Sequence, residues 1–231
     1  MKLMIASDIH GSAFWCGKLL EAAEAQQPDK LILLGDLLYH GPRNDLPQGY
    51  APKEVIPMLS AWKDKILAVR GNCEAEVDQM VLPFPCMADY ALLMADSVSF
   101  YLTHGHLWNP EKLPHLEPGS VFLSGHTHVK QDVTAKGIRC LNPGSVSIPK
   151  DGSHSYLICE NGEFRFCTLE DRHMDCSECE TCWHYDYDEE YDEYYCMMDL
   201  DEDDLYRFFA SKQSRCPYYR QGDDYTLARR Q

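Results

Sequence analysis

Short apolar runs recur along the first third of the chain, each closed by a small or polar residue. Leu3-Met4-Ile5-Ala6, Leu31-Ile32-Leu33-Leu34 and Ile66-Leu67-Ala68-Val69 are too short for helices. They read as strands buried on both faces. After the first run, Ser12 opens a helix-like stretch with Leu19, Leu20 and Ala23 on one side. A second helix is predicted over 52–62, with Pro52 near its start. Strands alternating with helices in this way form β-α-β units, whose ligands collect at the carboxyl ends of parallel strands.

The rhythm changes near residue 90. Segments 90–94 and 99–103 flank Ala95-Asp96-Ser97 as a hairpin, and 121–124 is a further strand. Segments 131–135, 137–141, 155–159 and 163–169 read as short antiparallel strands, with Asn161-Gly162 as a two-residue turn. Two facing sheets with helices outside would use all of these elements.

Polar residues cluster where the strands stop. The pieces are Asp8-Ile9-His10, Gly35-Asp36, Gly71-Asn72, His104-Gly105-His106 and Gly125-His126-Thr127-His128. Taken singly, Asp-x-His or Gly-Asp is a weak signal, and a lone histidine is usually a surface residue. Five such pieces, each after an apolar run, converge on one divalent-metal site. Asp8 and His10 supply a carboxylate and an imidazole, suited to manganese, iron or zinc. Asp36 has two oxygens with which to bridge two cations. Asn72 offers a neutral carbonyl oxygen, and His104, His126 and His128 offer nitrogens. Two cations at one spot point to phosphate ester hydrolysis through a shared hydroxide.

The same ordered pieces resemble the calcineurin-like metallophosphoesterases. Leu38–Asn44, the stretch 71–80 and Asn142-Pro143-Gly144-Ser145-Val146-Ser147-Ile148-Pro149-Lys150 resemble the YfcE-like bacterial phosphodiesterases within them. The likeness covers about residues 1–168. It implies an α/β fold, a four-layer αββα sandwich with the metals at the strand ends. It implies Asp8, His10, Asp36 and His128 on one cation, and Asp36, Asn72, His104 and His126 on the other. Manganese is the favoured cation, with iron, zinc, nickel and cobalt as alternatives. The expected reaction is hydrolysis of a small phosphodiester, the alternatives being a phosphomonoesterase or a noncatalytic scaffold.

Catalytic parts are expected for Asp36, Asn72, His10, Cys73 and Arg43. His10 or Asn72 would contact the phosphate. Cys73 stands where many relatives carry a histidine that protonates the leaving group, and a neutral thiol is a weak substitute. Arg43 is either an anion clamp or an ordinary surface residue. Asn142-Pro143-Gly144-Ser145 is expected to shape the pocket. Trp108 either stacks on a substrate ring or closes the core.

Length allows one full core and a small appendix in 231 residues. No run of 18 apolar residues occurs, so no membrane span is expected. The start MKLMIASD lacks the apolar stretch of a signal peptide, and a cytoplasmic protein is expected. A formal net charge of -16 argues against nucleic acid as a partner.

Charge and cysteine divide the chain into a phosphoesterase domain over 1–170 and an acidic module over 171–231. The second part holds 17 Asp and Glu against 7 Lys and Arg, with five of the 11 cysteines. Cys179-x-x-Cys182 has the spacing of a zinc knuckle. Cys179, Cys182, Cys196 and Cys216 are the favoured ligands of one structural zinc, with Cys176 spare. Disulfides and iron–sulfur ligation are the alternatives. This tail resembles an uncharacterised Cys- and Tyr-rich module of clostridial-type bacteria, which implies no activity. It carries a predicted helix over 201–209 and is the candidate surface for a protein partner or a second copy.

Overall fold

The computed structural model describes residues 1–169, 182–188, 193–196 and Arg220. The chain divides into two units, Met1–Glu170 and Asp171–Gln231.

In the first unit, β1 (Lys2–Ala6), β2 (Lys30–Leu33) and β3 (Ile66–Ala68) are parallel neighbours. α1 (Ala13–Gln26) and α2 (Pro52–Ser60) make the connections. The Ser12 side chain accepts a hydrogen bond from Trp15 N–H at 3.1 Å and caps α1. A short α3 (Glu76–Val81) follows β3; the sequence pattern did not announce it.

Hairpin β4 (Tyr90–Ala95) and β5 (Val98–Thr103) turns at Asp96 and Ser97, both at positive φ. β6 (Val121–Leu123) lies parallel to β5 and to β8 (Ile138–Pro143), with β7 (Lys130–Ala135) antiparallel at the edge. β9 (Ser155–Glu160) returns antiparallel to β1, and β10 (Glu163–Thr168) completes that sheet. Two five-stranded sheets result, in the orders β10-β9-β1-β2-β3 and β4-β5-β6-β8-β7.

Strand alternation assigns the core to layers. Leu3, Ile5, Ile32 and Leu34 pack with Phe100, Leu102, Leu123 and Leu141. Met4, Ala6, Leu31 and Leu33 point the other way, into Trp15, Leu19, Val55 and Leu59 of the helices. β1 and β2 thus bury both faces, which is why each reads as an apolar run, whereas β10 at the sheet edge alternates polar and apolar residues.

The expected second outer layer of helices differs. Among the described residues, Tyr101, Phe122, Ile138 and Cys140 of the second sheet meet Trp108, Leu113 and Leu116 from an irregular loop. Trp108 lies edge-on to Tyr101 and Tyr90, so it closes this cluster. Pro110 and Pro114 deny that loop a regular helix.

In the second unit, β11 (Tyr185–Asp188) and β12 (Glu193–Cys196) pair antiparallel, with Tyr185 opposite Cys196. Cys182 is buried. Trp183 N–H donates to the Arg220 carbonyl at 2.6 Å, and the Arg220 guanidinium stands 5.4 Å from the Trp183 ring centre. Cys176, Cys179, Cys216 and the predicted helix over 201–209 lie outside the described residues.

Candidate active site

The loops leaving β1, β2, β3, β5 and β6 meet at one end of the two sheets. Asp8, His10, Asp36, His126 and His128 all have positive φ, from 48° to 69°. Such backbone costs a non-glycine residue about 1 kcal/mol or more and persists where surrounding bonds impose it. Those bonds are present. Asp8 N–H donates to Gly35 O, and His10 N–H to Asp36 O. Ser145 and Ser147 hydroxyls both donate to the Asp8 carbonyl, at 3.0 and 3.1 Å. Asn142 Nδ2 donates to Gly125 O and Thr127 Oγ1. The Asn142–Ser147 stretch therefore shapes two ligand loops from behind. At Gly71 a Cβ would collide with Asp36, and at Gly125 with Ser7 and Asp8, so only glycine admits these approaches.

The side chains form two groups that meet at Asp36. In the first, Asp8 Oδ1 lies 3.2 Å from His128 Nε2 and 3.6 Å from His10 Nε2. His10 Nε2 is 3.7 Å from Asp36 Oδ2. In the second, His104 Nε2 lies 3.4 Å from the same Oδ2, 3.1 Å from Asn72 Oδ1 and 3.2 Å from His126 Nδ1. Asp8, His10 and His128, and likewise Asp8, Asp36 and His104, place their donor atoms within ligating reach of one another. The histidines fit a cation rather than each other. Nδ1 of His10, His104 and His128 faces the carbonyls of Tyr39, Leu34 and Ile148, at 2.8, 2.7 and 2.6 Å. A carbonyl only accepts, so each Nδ1 carries a proton and each Nε2 turns inward, where its lone pair can hold a cation once any second proton has left. Yet Nε2 of His10 and His128 stand 3.3 Å apart, and buried Asp8 Oδ1 has no hydrogen-bond partner among the described residues. Divalent cations would satisfy all of these atoms.

Burial alone would raise Asp8, but the neighbouring imidazoles of His10, His128 and His104 outweigh it and hold the carboxyl well below the usual range. Burial likewise opposes charge on His104, yet Asp36 and Asp8 push it up to about 9. His104 therefore holds an extra proton at neutral pH when no cation is bound. A cation at its Nε2 must expel that proton, so cation affinity should rise with pH until about 9. Calorimetric titration with manganese near pH 7 should release protons, read as heat that depends on the buffer. Heat independent of the buffer would contradict this.

Cys73 is half-buried, and its N–H donates to Asp36 Oδ1 at 2.9 Å. Burial, then the Asp36 charge, pushes its thiol far above the ordinary range. The thiol is therefore held neutral and is a poor proton donor. His10 is buried beneath the site and is not part of the cavity wall. Asn72 is exposed and does line it. That cavity, of about 530 Å³, runs from Asp36, His126 and His128 out to Arg43, Asn44, Thr127 and Lys150.

Two residues have places at the site that the sequence motifs containing them did not assign. The Glu74 carboxylate accepts from Asp36 N–H at 2.9 Å, from Leu37 N–H at 2.6 Å and from Gly71 N–H. It ties the end of β2 to the end of β3. Lys150 lies on the cavity wall, and its N–H donates to His128 O at 2.9 Å.

A family model described as a calcineurin-like phosphoesterase superfamily domain matches residues 1–163. Another, a domain of unknown function (DUF6472), matches residues 176–231. Phosphodiesterase YfcE of Escherichia coli (strain K12) is 46% identical over 173 residues, spanning 74% of this chain and 94% of that protein. The solved structure of Yfce, a phosphoesterase from E. coli, superposes with a TM-score of 0.72 at 46% identity, covering 74% of this chain and 95% of that one. An archaeal phosphodiesterase superposes at 0.55 with 21% identity over 73% of this chain and 99% of that one, a likeness of fold.

Proposed function

The chain belongs to the calcineurin-like phosphoesterase superfamily, and from that premise we propose that it hydrolyses a small phosphodiester. The observation that carries this reading is the pair of ligand groups sharing Asp36. When bound, two divalent cations polarise a phosphoryl oxygen and bring the pKa of a water toward neutrality. Asp8, His10, Asp36 and His128 would hold one, and Asp36, Asn72, His104 and His126 the other. The mixed oxygen and nitrogen donors suit manganese, with iron, zinc, nickel and cobalt as competitors.

The chain itself orients and excludes. Carbonyls of Tyr39, Leu34 and Ile148 lock three imidazoles, so little reorganisation accompanies the reaction. Asn72 presents its amide at the cavity wall. Cys73 offers the cavity a half-buried thiol where an imidazole would be the better acid for a departing alkoxide, which favours esters with good leaving groups.

The diester preference is supported by the likeness to Phosphodiesterase YfcE. Manganese-loaded protein should hydrolyse an aryl diester with kcat/KM at least about tenfold above the matched monoester, worth roughly 1.4 kcal/mol. Faster monoester cleavage would move the assignment to a phosphomonoesterase. Neither cleaved, with both cations bound, would leave a noncatalytic scaffold.

For the tail, the Cys179-x-x-Cys182 spacing supports one structural zinc on Cys179, Cys182, Cys196 and Cys216. Full-length protein carrying Asp36→Asn should retain one zinc and lose it on Cys182→Ser. Zinc content unchanged by Cys182→Ser would reject that ligand set. The module is also the segment through which a protein partner or second copy would be held. A monomer mass for the full-length protein at sedimentation equilibrium would count against a second copy. Among the described residues no helix is long and apolar enough to cross a membrane.

A further inference from the structure

The active-site cavity has a charged rim that the hydrolytic reading does not use. Its floor is buried: Asp36 and His128 lie there with the ligand groups. Its rim is exposed and carries Arg43 and Lys150, from loops after β2 and after β8. Neither side chain has an acidic partner among the described residues. That is notable in a chain with 37 Asp and Glu against 21 Lys and Arg. Lys150 is also anchored, because its N–H is bonded to the carbonyl of His128.

The floor needs no further positive charge for a diester. Two divalent cations outweigh the two carboxylates of Asp8 and Asp36 and would compensate a singly charged phosphate there. Two unpaired basic groups farther out therefore suit a different anionic group. Among the described residues, the wall between floor and rim contains Gly41, Pro42, Asn44, Cys73 and Thr127, and no Phe, Tyr or Trp. It offers no platform on which a nucleobase would stack.

Resting on the phosphodiester reading, we propose that Arg43 and Lys150 select substrates that carry a second anionic group, a carboxylate or phosphate, on one ester arm. Arg43 supplies a fork for paired oxygens, and Lys150 a point charge. Asn44 and Thr127 lie on the same wall to take polar atoms between the two anions.

The test is a set of dialkyl phosphinates, each a monoanion with carbon in place of both bridging oxygens and so a non-hydrolysable stand-in for a diester. They differ only in the arm: ethyl, carboxyethyl or phosphonoethyl. Calorimetry on manganese-loaded full-length protein should find an anionic-armed form bound about tenfold tighter than the ethyl form. Whether carboxyethyl or phosphonoethyl wins distinguishes the two chemistries. Lys150→Ala and Arg43→Ala should each shrink that ratio to about twofold, and Lys150→Arg should restore most of it. The ratio should also fall as salt is added. Equal affinity for all three arms in the unmodified protein would overturn the proposal. So would a parallel loss for ethyl and anionic arms in the variants, because that would put both basic side chains on the shared phosphinate. Hydrolysis of an ethyl-armed diester with no arm preference leaves the phosphodiester reading standing and removes this one. An intact arm preference without hydrolysis of any diester does the reverse.

Discussion

Asp36→Asn should abolish turnover, with kcat lowered by at least about 10³-fold. The substitution keeps shape and one hydrogen bond. Asp36 Oδ1 accepts from Cys73 N–H at 2.9 Å, and the asparagine oxygen can take that role. The amide nitrogen then stands where Oδ2 faced His10 and His104, at 3.7 and 3.4 Å. Two N–H donors would point at the place where both cations bind, and a negative charge shared by both groups is gone. Cation content should fall with activity, while the far-ultraviolet circular dichroism spectrum stays that of the unmodified protein. Full activity in the variant would exclude this cluster as the reaction centre.

Glu74→Gln should reduce both stability and activity, although the side chain is placed behind Asp36. One carboxylate receives three N–H groups, from Asp36, Leu37 and Gly71. Glutamine retains one acceptor oxygen and turns an NH2 toward at least one of those donors. An unpaired N–H there costs about 1–3 kcal/mol. The melting temperature should drop accordingly. Because Asp36 rides on the bonded segment, kcat should fall about 10- to 100-fold, the usual scale for groups that orient a ligand. Cation affinity is the readout that separates positioning from bulk destabilisation: it should weaken in Glu74→Gln well below the melting transition. A variant with normal cation affinity and a lowered melting temperature would make Glu74 a structural staple only.

The strand ends were legible because burial on both faces leaves an unbroken apolar run, and its first polar residue is where the strand stops. That logic found Asp8, Asp36 and His126, whose loops the structure brings together. Glu74 was not legible. It follows Cys73 as a single acid, and its partners Asp36 and Leu37 are distant in sequence and use only backbone atoms. The carbonyls that lock His10, His104 and His128 are silent for the same reason, since any residue type supplies one. Trp108 illustrates a different gap. An aromatic residue in an irregular loop looks the same whether it meets a substrate or a sheet; here it meets Tyr90 and Tyr101. Among the described residues no helix covers the second sheet, and that follows from this loop, where Leu113 and Leu116 supply apolar cover without helical regularity.

Catalysis here depends on two cations meeting at one carboxylate. Anomalous scattering from crystals grown with manganese measures this directly. Two peaks should flank Asp36 Oδ2, one beside Asp8, His10 and His128, the other beside Asn72, His104 and His126. Manganese bound elsewhere, with no peak between those side chains, would contradict it.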